Sequence, residues 1–291
     1  MGSQWLQYVA GGLTAGAIYA LVALGFSIVY NASNAINFAQ GEFVMIGGMS
    51  AVTLVGGGVP LGAAVPLAVL VAVAVGLCLE KLAIEPARNA DTVTLIIITI
   101  GASLLLRGMA QLVWDKRVHA LPAFSGDAPL HFMGATLLPQ SLWVFGGAAL
   151  AVLGLTWFFG RTLFGKAMLA TSYNPLAARL VGINTRTILF VSFGLAAMLG
   201  GLGGVLIAPI AFTSYDSGIM LGLKGFAAAM LGGLGSFGGA VLGGVLLGLA
   251  EALGAGFVSS AYKDAIAFVI ILGVLFFMPG GLLGARRSDR V

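Results

Sequence analysis

The chain is a succession of long apolar runs joined by short polar links, and this pattern constrains the fold more than any other feature. A helix needs about 20 predominantly apolar residues to cross the hydrocarbon core of a bilayer. Nine runs reach or approach that length, at residues 6–30, 39–56, 60–82, 93–113, 141–160, 188–211, 217–235, 238–258 and 264–283.

The backbone inside a bilayer must pair all of its polar groups within the protein, which leaves helices and closed barrels as spanning structures. These runs do not alternate between apolar and polar residues as barrel strands do. Only 8% of the residues are charged, against about 25% in soluble domains. The sequence therefore predicts an all-α polytopic membrane protein of about nine helices, within a range of eight to ten, as one domain over residues 1–291.

Glycine is unusually abundant, with 45 residues among 291. Small residues four apart occupy one face of a helix and allow a neighbouring helix to approach closely. The spacing recurs often enough to predict a compact helical bundle, with packing positions at Gly12, Gly16, Gly200, Gly204, Gly235, Gly239 and Gly243.

The basic residues predict the orientation, because cytoplasmic loops carry an excess of Lys and Arg. They concentrate in the link 81–92, in the segment 161–187 and in the C-terminal tail with Arg286, Arg287 and Arg290. This distribution places the N-terminus outside, the C-terminus in the cytoplasm and the long loop 114–140 outside.

Nine crossings would let the first four and the last four helices run in opposite senses around the fifth. Inverted repeats of this kind are common in transporters and often contain interrupted helices. Polar or glycine-rich residues interrupt one apolar span in each half, at 31–48 and 222–239. An inverted repeat is therefore one interpretation, and it depends on the count of nine.

Polar side chains inside the apolar spans are candidates for a translocation path or gate: Asn34, Asn37, Gln40, Glu42 and Lys224. Such groups are costly at membrane depth unless they face protein or a water-filled route. The alternative is that the first four form a cytoplasmic turn, and that Lys224 extends its ammonium to the outer interface.

The segment 161–187 contains the signals of a short cytoplasmic helix. Asn174 can cap it, Pro175 suits its first position and Gly182 can end it. Leu176, Leu180 and Ile183 recur at helical spacing, whereas Ala178 and Arg179 lie elsewhere on the helix. This helix either lies in the membrane interface or docks a soluble partner.

Two nucleotide-binding patterns lack the context that they require. GRTLFGKA at 160–167 has Ala167 in place of the magnesium-binding hydroxyl, and GLGSFG at 233–238 does not follow a strand. His119 and His131 lie in one loop without recognisable metal-ligand spacing. We therefore expect no catalytic site, no metal site and no cofactor in this chain, and no ATPase activity of its own.

Several stretches resemble the LivH-type permeases of branched-chain amino acid ABC importers. They are GLTAGAIYALVALGFSIVYNASNAINFAQGEFVMIGG from Gly12, ITIGASLLLRG, FGKAMLATSYNPLAARLVGIN from Phe164, and GLKGFAAAMLGGLGSFGGAVLGG from Gly222. The resemblance implies an inner-membrane subunit that works with a second permease, either related or identical, two ATPase subunits and a periplasmic or lipid-anchored binding protein. ATP and magnesium would then bind the ATPase subunits.

The resemblance also implies that residues 164–184, including Gly165 and Lys166, form the coupling helix against the ATPase. Family members often carry an arginine where Met168 or Leu169 stands here. Three alternatives stay open from the residues: an importer permease for urea, amides or another small solute, an ion-coupled secondary carrier, and a membrane scaffold.

Overall fold

The computed structural model describes residues 2–87, 90–126, 128–132, 135–257, 259–278 and 280–284. In these residues the regular secondary structure is helical apart from a hairpin of β1 (Leu130–Phe132) and β2 (Ala135–Leu137), in which Leu130 pairs with Leu137. The helices are α1 (Gly2–Ser33), α2 (Gln40–Gly56), α3 (Leu61–Leu79, continued by a π-helical segment Glu80–Ile84), α4 (Thr92–Trp114), α5 (Pro139–Arg161), α6 (Leu163–Tyr173), α7 (Pro175–Leu180), α8 (Thr185–Ala211), α9 (Ser217–Gly232), α10 (Phe237–Phe257) and α11 (Lys263–Phe277).

The predicted all-α membrane fold is confirmed, although the number of crossings stays a prediction. Within the described ranges, six helices are long and apolar enough to cross a membrane, namely α1, α3, α4, α5, α8 and α10. Helix α9 is apolar but shorter, and α2 has only 17 residues. At a rise of about 1.5 Å per residue, α2 and α9 extend about 25 Å, less than the roughly 30 Å hydrocarbon core.

The packing of the helices repeats between the two halves of the chain. Helix α1 packs on α8, α9 and α10, and α8 packs on α1, α2 and α3. Exchanging α1–α3 for α8–α10 therefore reproduces the same set of neighbours. The α1–α10 pair is antiparallel, with Gly12 beside Ala252 and Gly16 beside Val245.

Backbone conformation marks the same equivalence at two pairs of positions. Asn34 follows α1 with φ of 54°, and Phe212 follows α8 with φ of 61°. Gly58 follows α2 and Gly235 follows α9, each with φ of 85°. Positive φ is uncommon for residues other than glycine, so two matched breaks support a repeat that includes the loops.

The two halves are inverted relative to one another. The end of α1 at 32–34 lies beside the start of α8 at 184–186 around one cavity. The start of α1 lies beside the end of α8 around another, where Gln7 and Thr14 accompany Ile207 and Ala211. The counterpart of the break at 34–39 is therefore 212–216, not the segment 222–239 that the sequence indicated. The break within 222–239, at 233–236, corresponds to 57–60.

The loops between the helices lie at two ends of the bundle. At one end, Asn31 Nδ2 donates to Gly235 O, Leu283 N donates to Gly232 O, and Arg179 and Ile84 share a cavity with Asn34. At the other end, the long loop folds back, and Thr213 pairs with His119. The described parts of the segments predicted to be inside thus share one end; Arg88, Asp127, Arg286, Arg287 and Arg290 lie outside the described residues.

Most glycines singled out by spacing lie at helix contacts: Gly12 and Gly16 against α10, Gly200 and Gly204 against α2, and Gly239 and Gly243 against α9. A Cβ added at Gly16 would lie 2.9 Å from Val245 Cα, and one at Gly200 would lie 2.8 Å from Phe43 Cβ. The prediction that Gly235 is a helix-packing position is wrong, because α10 begins only at Phe237 and Gly235 lies in the preceding turn.

Candidate translocation site and coupling surface

Helix α2 begins inside the bundle, where polar side chains fix its first turn. Asn37 is buried, and its Oδ1 accepts a hydrogen bond from Ala39 N at 3.1 Å. Gln40 Nε2 donates to Ala196 O at 2.9 Å, which ties α2 to α8. These two residues therefore serve as internal hydrogen-bonding groups rather than as a cytoplasmic turn, whereas Asn34 is exposed at the end of α1.

Glu42, in the first turn of α2, is only 2% exposed and belongs to a polar cluster with α4. Ser103 Oγ donates to Glu42 Oε1 at 2.8 Å, and Arg107 Nη2 lies 3.3 Å from the same oxygen. Arg107 Nη2 also donates to Ser103 Oγ at 3.0 Å. Because Ser103 and Arg107 are four residues apart on α4, one helix face presents both donors to the carboxylate.

A cavity of about 180 Å³ lies against this cluster, between α1, α4 and α9. Its polar lining includes Glu42, Ser103 and Arg107. Apolar side chains form most of the remaining wall: Phe26, Phe38, Ile100, Leu104, Ile219, Leu223 and Phe226. We call this cavity the α4–α9 groove.

The α4–α9 groove lies where α2 and α9 cross. Gly41 contacts Gly218, and a Cβ added at Gly41 would lie 2.9 Å from Gly222 Cα. Three glycines at the crossing thus bring the first turn of α2 against the first two turns of α9. In transporters built from inverted repeats, substrates bind near the membrane midplane at such interrupted helices.

Lys224 belongs to a different cluster, in the second half of the chain. Its Nζ lies 2.8 Å from Glu251 Oε1 and 2.6 Å from Asp264 Oδ1, and Tyr19 OH donates to Glu251 Oε2 at 2.8 Å. Lys224 is only 6% exposed. Its ammonium is therefore paired within the bundle with the buried Glu251 and the part-exposed Asp264, and the alternative that it extends to the outer interface stays a prediction.

The proposed path residues therefore do not form one continuous lining. Glu42 lines the α4–α9 groove, Lys224 belongs to the second cluster, and Asn34 lines a cavity of about 630 Å³ at the α7 end of the bundle. The sequence shows Arg107 and Glu251 as ionisable residues near the spans, but only the structure pairs them with Glu42 and Lys224. Both are ionisable residues inside apolar spans, which is a signal that alone marks functional candidates.

The segment predicted to couple forms two helices rather than one. Thr162 caps α6 by accepting from Gly165 N, and Asn174 caps α7 by accepting from Ala177 N at 3.0 Å. Pro175 opens α7, and Gly182 follows it with φ of 88°. The predicted cap, first residue and terminator of the short helix are thus confirmed in the backbone.

Helix α7 exposes apolar side chains at one end of the bundle. Leu176 is 69% exposed and Leu180 is 82% exposed, whereas Ala178 is buried at 3%. Ile183 packs against the core, so the three apolar positions do not form one exposed face. Lys166 and Arg179 are exposed nearby, and Arg179 Nε donates to Thr185 Oγ1 at 3.0 Å.

A bundle of inverted halves with two short helices crossing at buried charges defines a polytopic membrane transporter. Residues 8–275 match the family described as the permease component of branched-chain amino acid transport systems. The chain belongs to this family of ABC importer permeases.

Relatives match over nearly the whole chain. The high-affinity branched-chain amino acid permease BraD of Pseudomonas aeruginosa is 35% identical, covering 99% of this chain and 98% of its own length. LivH of Escherichia coli is 34% identical with the same coverage. A probable LivH of Methanocaldococcus jannaschii is 30% identical over 91% of this chain and 88% of its own.

Proposed function

We propose that this permease moves branched-chain or similarly small amino acids across the bacterial inner membrane into the cytoplasm. Its N-terminus lies outside and its C-terminus lies in the cytoplasm. The proposal draws support from the relatives that are named for branched-chain amino acids and from the buried charges at the crossing of α2 and α9.

In this proposal the chain works in an assembly with a second permease, two ATPase subunits and a substrate-binding protein outside the membrane. ATP and magnesium bind the ATPase subunits, and this chain neither binds nor hydrolyses ATP. ATP binding can shift the permease only through contacts that differ between its inward-open and outward-open arrangements.

The surface of α6 and α7 is the proposed contact with the ATPase. Leu176, Arg179 and Leu180 are exposed on α7, and Lys166 is exposed on α6. Exposed leucines on a short, capped helix suit a protein interface better than a solvated face, because burial of apolar area stabilises association. Gly165 contributes differently, since it is buried where α6 turns against Phe158.

Retention of the ATPase by a Leu180→Glu variant tests the proposal. A charge in the apolar contact should lower ATPase retention on the purified permease at least about tenfold, which corresponds to about 1.4 kcal/mol. Thr187→Glu is the matched control, because Thr187 is also exposed near this end but lies in the first turn of α8.

Both retention and leucine uptake should stay near wild-type levels in the control. Normal retention and uptake in Leu180→Glu would exclude α7 as the coupling element. Leucine uptake that persists in vesicles without any ATPase subunit would instead indicate an ion-coupled carrier. Uptake of urea or amides, but not of leucine, would move the substrate to another small solute.

A further inference from the structure

The Glu42 cluster contains two polar atoms that the folded chain leaves without a partner. Ser103 and Arg107 both approach Oε1 of Glu42, whereas Oε2 is buried without any hydrogen bond. Arg107 Nε is also buried and unpaired. Buried polar groups are nearly always satisfied, so an unpaired carboxylate oxygen and an unpaired guanidinium nitrogen within one cluster call for an explanation.

The cluster around Lys224 is different. Glu251 receives Lys224 Nζ at Oε1 and Tyr19 OH at Oε2, so both of its oxygens have donors. Both oxygens of Glu251 are thus satisfied within the protein, and the cluster stabilises the packing of α1, α9 and α10. The missing donor is a specific feature of Glu42.

The unpaired oxygen lies at the crossing of the two short helices. A Cβ added at Gly218 would lie 2.9 Å from Glu42 Oε2, so the carboxylate faces the first turn of α9. The α4–α9 groove reaches Glu42 and Arg107 from one side, and a quarter of the Arg107 side chain is exposed. A ligand in the groove would meet a carboxylate and a guanidinium side by side.

We propose that the α4–α9 groove is the site where the transported amino acid binds during translocation. The substrate's ammonium donates to Glu42 Oε2, and its carboxylate pairs with Arg107. Its aliphatic side chain packs on Leu223, Ile219 and Phe226. This assignment rests on the proposed function and adds the residues that recognise each end of the zwitterion.

The chemistry of the groove fits such a substrate at both polar groups. The substrate's ammonium supplies three hydrogen-bond donors, and this suits Glu42, whose Oε2 has no donor in the folded chain. A guanidinium presents planar paired donors that match a carboxylate. The groove, at about 180 Å³, is smaller than the roughly 300–1,000 Å³ of sites for drug-sized ligands.

The observed arrangement corresponds to a closed site. Gly218 shields Oε2 of Glu42, so the ammonium reaches this oxygen only when α9 shifts away from α2. The two helices belong to opposite halves of the repeat, and movement between such halves is how transporters of this architecture alternate access. Substrate binding and the change of access would then involve the same contact.

Neutralising each charge in the assembled transporter tests the assignment. Glu42→Gln and Arg107→Gln should each lower leucine uptake into proteoliposomes roughly 10- to 100-fold, because a buried charge of the substrate loses its partner. The apparent melting temperature of Glu42→Gln should fall less than that of Glu251→Gln, because the partner that Glu42→Gln leaves, Arg107, is a quarter exposed, whereas Glu251→Gln leaves Lys224, whose side chain is only 7% exposed. Glu251→Gln is the comparator, and it should lower the melting temperature.

A second variant tests the apolar part of the groove without changing a buried charge. Leu223→Trp should reduce uptake of leucine at least about tenfold more than uptake of alanine, because the added ring occupies the space for the larger side chain. Leu246→Trp is the matched control, since Leu246 has similar exposure, 43% against 41%, but lies on α10 away from the groove.

Four results would overturn the assignment. Leucine uptake within twofold of wild type in Glu42→Gln would do so, as would a fall in melting temperature equal to that of Glu251→Gln. Loss of the second permease from the Leu223→Trp complex would assign the groove to a protein interface. A wild-type assembly that takes up no amino acid refutes the proposed function, and the assignment with it.

Discussion

Replacing Lys224 by Met should strongly destabilise the permease, because it leaves the buried Glu251 carboxylate with only the half-exposed Lys263 ammonium, 3.9 Å away, as a counter-charge. The Lys224 ammonium lies 2.8 Å from Glu251 and 2.6 Å from Asp264, and only 7% of its side chain is exposed. Methionine fills a similar volume, so the change removes the charge with little change in packing.

The magnitude follows from the burial of each partner. Removing one member of a buried ion pair typically costs about 3–5 kcal/mol, and Glu251 is buried, with 9% of its side chain exposed. Asp264 adds little, because 41% of its side chain is exposed and water screens its charge. We therefore expect about 3–5 kcal/mol, or a fall in apparent melting temperature on the order of 10 °C.

The double variant Lys224→Met/Glu251→Met separates lost charge pairing from lost packing. It removes both charges and leaves the buried Tyr19 hydroxyl without its acceptor, a cost of about 1–3 kcal/mol. Asp264 and Lys263 also lose a partner, but both side chains are at least 41% exposed, so water screens their charges. The double variant should therefore be more stable than Lys224→Met alone. Thermal unfolding of the detergent-purified permease measures both.

Lys81→Met provides the control, because 63% of the Lys81 side chain is exposed in its ion pair with Glu85; that change should cost at most about 1 kcal/mol. If the double variant unfolds at or below the temperature of Lys224→Met, an unpaired buried charge is not the cause. If Lys81→Met is equally destabilising, burial of the ion pair does not explain the loss of stability.

Two further predictions concern topology and the repeat. In a cysteine-free background, a cysteine at 119 should react with an impermeant thiol reagent added outside intact cells, whereas a cysteine at 179 should not. If the reagent labels only Arg179→Cys, the orientation of the protein in the membrane is the reverse of the one proposed. Gly58→Ala and Gly235→Ala should each lower the free energy of unfolding by about 1 kcal/mol, because both glycines have φ of 85°. Thermal unfolding measures this, and a variant that is more stable than the wild type would show that the turn does not require glycine.

Part of the proposed coupling surface could be predicted from the sequence, because it depends on local chemistry. The cap at Asn174, the opening at Pro175 and the terminator Gly182 depend on residues within one or two turns, and each has the expected backbone role. The exposed face of α7 was harder to predict from the sequence. Ile183 has the right spacing, but it turns into the core because α8 packs there.

Sequence alone determined the class of fold, because the lengths of the apolar runs and the scarcity of charge dictate a helical membrane bundle. It also identified Glu42 and Lys224 as costly groups that need partners. It could not pair them, since Arg107 and Glu251 lie 65 and 27 residues away along the chain, and only helix packing brings them together.

Tertiary structure likewise decided where the two halves correspond. The matched breaks after α1 and α8 depend on positive φ at Asn34 and Phe212, and a phenylalanine gives no sequence signal for that conformation. The crossing of Gly41 and Gly218 is also a long-range contact between distant segments. Composition and periodicity fix which segments enter the membrane, whereas contacts between those segments fix which charges meet.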